Sequence, residues 1–327
     1  MKRLLTLALA ASTTLGAFAQ DYPSKPITIV VPFAAGGPTD IVARQLAEAM
    51  RKHLNNVSIV VDNAAGAGGT IGAAKVARAA PDGQTLLVWH IGMAATAGLY
   101  RKLPYKPLDD FEYLGMINDV PMTLLGSPKL PANTYRDFEN YIRANGGKLN
   151  LAHAGLGSAS HLCGLMWQSA VKLDKSMTTI AYRGTAPAMN DLIAGTVDVM
   201  CDQSTNTTAQ IEGGRVKAFA VTTAKPLSSH KLLKDYPSLQ EMGLKGFDLT
   251  IWHAMYAPKG TPPAIAKKLN DALRLALKDP EFIKRQEALG AIVVTDKRVE
   301  PAGHKAFVTN EINKLKTVIE AAGQFAD

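Results

Sequence analysis

Short β-branched runs alternate with longer segments of helical period, twice over, and that order constrains the fold more than any other feature of the chain. ITIVV (27–31) precedes apolar residues recurring every four positions, Val42, Leu46, Met50 and Leu54, so a helix is predicted from Pro38 to about Leu54. VSIVV (57–61) leads through a Gly-rich turn into TIGAAKVARAA, which stops at Pro81-Asp82-Gly83, and TLLVW (85–89) follows. The second series runs LNLAH (149–153), a helix from about Ser158, TTIAY (178–182), a helix from about Ala186, VDVMC (197–201) and VKAFAVTT (216–223). A β-α-β-α-β order needs crossover helices, so each unit is a parallel sheet covered on both faces, and the class is α/β.

Two stretches lie outside these units. EYLGMINDVPMTLLGSP (112–128) reads as too long for one strand and broken at Pro121; LTIWHAMYAPKGTPP (249–263) is a second long apolar run, followed by helices around 262–278 and 305–322. They mark two crossings between lobes. The expected division is a first lobe of residues 20–121 and 252–327, a second of 122–251, and a ligand cleft between them at the carboxyl ends of the strands.

The first 19 residues read differently. Lys2 and Arg3, the apolar run LLTLALAA and the small residues Ala17-Phe18-Ala19 form a secretory leader, so the mature chain is expected to start at Gln20 or Asp21 and to be exported as a soluble protein. In an oxidising compartment Cys163 and Cys201 can pair or can stand as two buried thiols. The formal charge of +8 is spread along the chain rather than clustered, which argues against nucleic acid and is compatible with small anions.

The turns carry the chemistry. In VPFAAGGPTD (31–40), Gly36 and Gly37 let backbone approach a bound group and Pro38 suits the first helical turn, so bare N–H groups and the positive end of a helix point at the cleft. A bulkier residue at Gly37 is expected to weaken binding. AGLGSASHL (154–162) repeats the device with Gly155 and Gly157 ahead of Ser158 and Ser160, either a cap or an anion donor; YRGTAPAMNDLIAG (182–195) repeats it with Gly184, Thr185 and Pro187. Asp40 suits its helix dipole, and Asp202, just past a strand, either accepts from the ligand or ties a turn. His161 either donates to a carboxylate or satisfies local backbone; Met93 and Trp252 suit core packing. Enzyme signatures are missing: GAGGTIG (66–72) has Ile71 where a dinucleotide fingerprint ends in glycine, GLGSAS is not a nucleophile elbow, and no zinc-protease helix motif occurs. No catalysis, cofactor or metal is expected.

With these motifs in hand the whole mature chain resembles the periplasmic solute-binding receptors of tripartite tricarboxylate transporters, the Bug family. The resemblance rests on YPSKPITIVVPFAAGGPTDIVAR, VDNAAGAGGTIGAAKVARAAPDGQTLL, LPYKPLDDF, GSASHLCG, AYRGTAPAMNDLIAGTVDVMCD and YAPKGTPPAI. It implies a two-lobed type II periplasmic binding protein, monomeric, that closes on a small carboxylate and delivers it to a membrane permease. Carried onto this chain, the ligand-binding residues are Phe33, Ala34, Ala35, Gly36, Gly37 and Thr39 in the first turn and Gly155, Gly157, Ser158, Ser160 and His161 in the second. Thr185, Ala186 and Asp202 complete the pocket. His90 and Met93 fall in a segment that varies between receptors, and Arg183 is either a partner for a second carboxylate or, the favoured reading, a solvated side chain near a strand end. Cys163 and Cys201 depart from the residues commoner there. The expected ligand is a di- or tricarboxylate, and the hydroxyls of Ser158, Ser160, Thr185, Thr205 and Thr207 without extra fixed charge suit a linear or aromatic dicarboxylate such as terephthalate. A carboxylate sensor that signals to a membrane partner without transport is the competing reading.

Overall fold

A computed structural model describes residues 22–173 and 176–322. The leader at 1–19 and the expected mature start lie outside them. In chain order the first series is β1 (Ile27–Val31), α1 (Pro38–Arg51), β2 (Ile59–Asn63), α2 (Thr70–Ala77), β3 (Thr85–His90) and α3 (Gly92–Leu99). Then come β4 (Phe111–Gly126), α4 (Tyr135–Asn145), β5 (Asn150–His153), α5 (Ala159–Ala170), β6 (Thr178–Ala181), α6 (Thr185–Ala194), β7 (Val199–Gln203), α7 (Ser204–Glu212) and β8 (Lys217–Val221). The chain closes with β9 (Thr250–Pro258), α8 (Pro263–Ala276), α9 (Pro280–Ala288), β10 (Ile292–Val293) and α10 (Pro301–Ala322).

The strands pair in the order β2-β1-β3-β9-β4-β7-β5-β6, with β8 and β10 also on β4. At one end β1 is parallel to β2 and β3; at the other β5 is parallel to β6 and β7. The two parallel groups are the βαβ units read from the sequence, and they meet through antiparallel β9 and β4. Ile27, Ile29, Val30 and Val31 of β1 are all fully buried, as a strand covered on both faces requires.

β4 corrects the expectation of a break at Pro121, because it is one strand of 16 residues. Phe111 to Pro121 pair with β9, whereas Met122 to Gly126 pair with β7 and β8. Pro121, which has no N–H to donate, stands where the strand changes partners. Thr222, immediately after β8, ties both crossings at this level. Its hydroxyl accepts from the Met122 N–H at 3.0 Å and donates to the Leu249 carbonyl at 2.7 Å, and its own carbonyl accepts from the Leu249 N–H at 2.9 Å.

Smaller differences are local. α1 ends at Arg51 rather than near Leu54, and α6 starts at Thr185. β7 lies two residues further on than expected, so Asp202 is inside the strand and not past it. The shift has a cause: Asp198 is used as a turn, its carboxylate accepting from the Asn150 N–H and its carbonyl from the Ser127 N–H, both at 2.8 Å. α3, α4, α7 and α9 are helices beyond those expected.

Candidate functional site

The loop from β1 to α1 is shaped by one buried carboxylate. Asp40 accepts from the Gly36 N–H, Arg44 Nε and Asn63 Nδ2, each at 2.9 Å, and Asn63 also donates to the Phe33 carbonyl. Burial pushes the Asp40 carboxyl up, but these hydrogen bonds and the Arg44 guanidinium win and hold it below the usual range. Asp40 is therefore a clamp on the turn as well as a partner of the dipole. Gly36 takes φ +78°, the left-handed region that glycine favours; Gly37, the N-cap of α1, is extended at φ −82° and has no such need.

The clamp also spends donors that the sequence suggested for an anion. The Gly36 N–H goes to Asp40, and the Ala34 N–H reaches across to the Arg183 carbonyl at 3.1 Å. The N–H groups of Thr39 and Asp40, in the first turn of α1, have no intrahelical acceptor and stay available at this wall. Arg183 contributes that carbonyl while its side chain is exposed.

The β5-α5 loop is closed on itself in the same manner. Its N–H groups at Gly155 and Gly157 donate to the Nδ1 atoms of His153 and His161, that of Ala154 to Ser160 Oγ, and that of His161 to Ser158 Oγ, the N-cap. Ala159 and Ser160, the first residues of α5, keep outward-pointing N–H groups. Cys163, one turn into α5, is bonded to Cys201 of β7, with Cα atoms 6.0 Å apart. The helix end and the strand end that face the cavity are thus covalently joined.

Between these walls lies a small cavity lined by Phe33, Pro38, Thr39, His90, Ala154, Ser158, Ala159, Ser160, Thr185, Asp202 and Gln203. Four helices begin at it: α1 at Pro38, α5 at Ala159, α6 at Thr185 and α7 at Ser204, next to Gln203. Each N-terminus carries about half a positive charge on its unsatisfied N–H groups. No Lys or Arg is in the lining, so backbone dipoles supply the positive potential. The fourth helix was missed because β7 runs straight into α7 without a glycine; the hydroxyl-rich run STNTT after a strand is the one signal that could have found it.

The polar side chains divide by wall. His90 stacks on Phe33, with ring centroids 4.9 Å apart, and its Nδ1 accepts from the Gly92 N–H, so the neutral ring carries its proton on Nε2. Burial pushes its pKa down to about 3, and that of His153 to about 4, so both are uncharged. Thr39 Oγ1 meets His253 Nε2 at 3.3 Å, and that ring is fixed through Nδ1 to Asn118 at 2.9 Å. On the opposite wall Thr185 Oγ1, Asp202 Oδ1 and Gln203 Oε1 are buried with no hydrogen-bond partner. Asp202 is fully buried, and burial pushes its carboxyl up to about 7 against the pull of Asn206, which donates to Oδ2 at 2.6 Å.

Of the other residues singled out in the sequence, Ala35 in its loop and Ala186 in the first turn of α6 lie beside the cavity without lining it. Met93 is packed in the core, the Thr207 hydroxyl meets that of Thr123 at 2.9 Å, and Thr205 is buried behind the wall. Gly155 has a use beyond the one expected. A Cβ there would sit 2.7 Å from the Gly68 nitrogen, and one on Gly68 would overlap the Leu156 carbonyl, so two loops of opposite halves touch backbone to backbone. Tyr100 Oη seals this lip by donating to the carbonyls of Ala67 and Leu156 at 2.9 and 3.3 Å.

Comparison with known proteins agrees with this architecture. An Agrobacterium vitis protein, described as a UPF0065 protein in the TAR-I ttuE-ttuC' intergenic region, is 46% identical over 307 residues, covering 94% of this chain and 87% of its own length. The solved structure of the periplasmic binding protein BugD matches with a TM-score of 0.89 at 46% identity, over 94% of this chain and all of that one. MatC from Rhodopseudomonas palustris with bound malate matches with a TM-score of 0.85 at 37% identity, over 91% of this chain and all of that one. The two-lobed α/β fold is that of these periplasmic binding proteins. The family model described as "Tripartite tricarboxylate transporter family receptor" matches residues 42–324, and the chain belongs to that family of solute-binding proteins, not to an enzyme family.

Proposed function

We propose that this receptor captures a small dicarboxylate, of about the size of malate, by closing residues 20–121 with 252–327 and residues 122–251 around it. The closed complex then presents the ligand to the permease of a tripartite transporter in the periplasm. The observation that carries the reading is the convergence of four helix N-termini on one cavity without a cationic side chain. Such a site favours an anion through fixed dipoles that need no reorganisation. Malate in the 37%-identical MatC supports the size and class. Pairing of β4 with both β9 and β7 gives the two halves a shared strand about which to move, and closure is driven by whatever extra affinity the anion has for the closed form.

The test is a titration of residues 20–327 with succinate, malate, citrate and terephthalate, followed by thermal shift and calorimetry. A ligand that binds only the folded state raises Tm, by an amount set by its concentration relative to Kd. The expected outcome is saturable binding of a four-carbon dicarboxylate. Preference for terephthalate would move the ligand to the aromatic class, and no binding by any of the four would overturn the carboxylate reading. Uptake of the bound ligand by cells with and without the permease separates transport from sensing.

A further inference from the structure

We propose that Asp202 is a ligand-contacting acid: when a carboxylate occupies the cavity, Asp202 holds a proton and donates it as a hydrogen bond to that carboxylate, so capture takes up a proton. This rests on the carboxylate reading above. The geometry is specific. Asp202 lines the cavity, is fully buried, has Oδ2 occupied by Asn206, and leaves Oδ1 with no partner at hydrogen-bond distance, although the Gln203 N–H and the Thr185 hydroxyl lie near enough to pull its carboxyl down against burial. An unsatisfied buried carboxyl oxygen is expensive unless the ligand completes it.

The surroundings decide which way the hydrogen bond runs. Thr123 pairs with Asp202 from β4, Asn206 and Thr207 approach from α7, and Thr185 begins α6, all uncharged. The titratable groups around the cavity are His90 on β3, His153 at the end of β5, His161 in α5 and His253 on β9, behind Thr39, with Asp40 in the first turn of α1. The first two are neutral well below pH 6, as their depressed pKa values require. No cation faces Asp202 from the lining. Two carboxylates enclosed together cannot both stay ionised cheaply, and one takes a proton, as paired carboxyls do elsewhere. The ligand lies toward the helix N-termini that stabilise its charge, so the proton falls to Asp202, whose burial already favours the neutral acid.

The sign follows. Asp202 titrates at about 7 before the anion enters and higher afterwards. Affinity is therefore full below about pH 7, is halved near it, and falls as pH rises, approaching tenfold per unit until the raised value is passed.

The experiment is calorimetry of the full mature chain with succinate, which carries no hydrogen-bond donor of its own, in buffers of different ionisation enthalpy at about pH 7.5. Uptake of more than about half a proton per ligand is expected. Asp202→Asn, whose amide donates at every pH, should flatten the affinity profile between about pH 7 and 9 and bind more tightly than the native chain at the alkaline end. Zero uptake, or release of a proton, overturns the proposal and makes Asp202 an ionised acceptor or a bystander. A native pH profile surviving in Asp202→Asn also overturns it, by assigning the proton to another group. Should the variant not fold, the buffer series on the native chain decides alone. Failure of any carboxylate to bind at any pH is the distinct result that sinks the carboxylate reading itself.

Discussion

The two walls of the cavity are built to the same plan and held by different forces. On the first, the loop before α1 is pinned by hydrogen bonds to Asp40, with Arg44 half-exposed behind it. On the second, α5 is pinned to β7 by the Cys163–Cys201 bond, and the loop before it is filled by the imidazoles of His153 and His161, whose Nδ1 atoms accept backbone N–H groups. Both arrangements leave helix N–H groups available at the cavity and spend several of the other donors of the loop. Helix ends, rather than bare glycine turns, are thus the common element of the site, and each wall has its own way of keeping them aimed.

The difference is sharpest under reduction. Cys163 and Cys201 close a span of 38 residues. Chain-entropy arguments put the contribution of such a link at about 4 kcal/mol, although native-state effects alter the yield. Replacing both with Ala should lower the denaturation free energy by about that amount. Ligand affinity should also drop, because Ser158–Ser160 and Asp202 lose their fixed spacing. Chemical denaturation of the native chain with and without reductant checks the stability. Unchanged stability would mean that the second wall is held by packing, as a non-covalent wall would be.

The first wall should break under acid. Asp40→Ala removes three hydrogen bonds to a charged acceptor and leaves the Gly36 N–H unpaired, a cost of about 2 kcal/mol. Because the Asp40 carboxyl is held below its usual range when folded, its contribution is present above the unfolded value near 4 and is lost as pH falls through the folded one. Melting curves from about pH 7 down to 3 should therefore converge for the native chain and the Asp40→Ala variant. A constant gap over that interval would show that packing at Asp40, not its charge, shapes the loop.

Much of this could be read from residues alone, and the failures have identifiable physical causes. The βαβ series and three of the four inward helix ends were visible, since β-branched runs, glycine and early proline each have a backbone meaning. The fourth end was hidden because Gln203 caps α7 without a side-chain bond or a glycine. α3 is buried at nearly every position, so GMAATAGL has no polar face to give it a period. α4 did carry a signal that went unused: Thr134 accepts from the Asp137 N–H, a cap legible as Thr-x-x-Asp. Pro121 misled because a proline within a strand is tolerated where the ladder changes partners, which is a property of the whole sheet. Gly155 is ambiguous in another way: a glycine that lets backbone approach a ligand and one that lets backbone approach backbone look alike until Gly68 is seen opposite it.

The smallest effect separates Gly36 from Gly37, neighbours that the sequence treats as equivalent. At Gly36 an Ala would have to hold φ near +78°, which costs about 1 kcal/mol even though the nearest group to its methyl, Ala186 Cβ, is a comfortable 3.9 Å away. At Gly37 the backbone is extended and the methyl would meet the Ala34 carbonyl at 3.4 Å, an ordinary contact, with Thr185 Oγ1 at 3.8 Å and the Ala186 N–H beyond. Gly36→Ala should lower stability by about 1 kcal/mol, and Gly37→Ala should stay within about 0.5. Denaturant titration measures both. Ligand titration adds the decisive contrast, because Gly37→Ala places its methyl on the side where α6 approaches while leaving the loop relaxed. If Gly37→Ala keeps native affinity, a methyl at this position does not block the approach of the backbone to the ligand, and only a bulkier residue could. If it loses affinity while keeping stability, the space between Gly37 and α6 is needed for closure, and the first wall contributes a surface as well as a dipole.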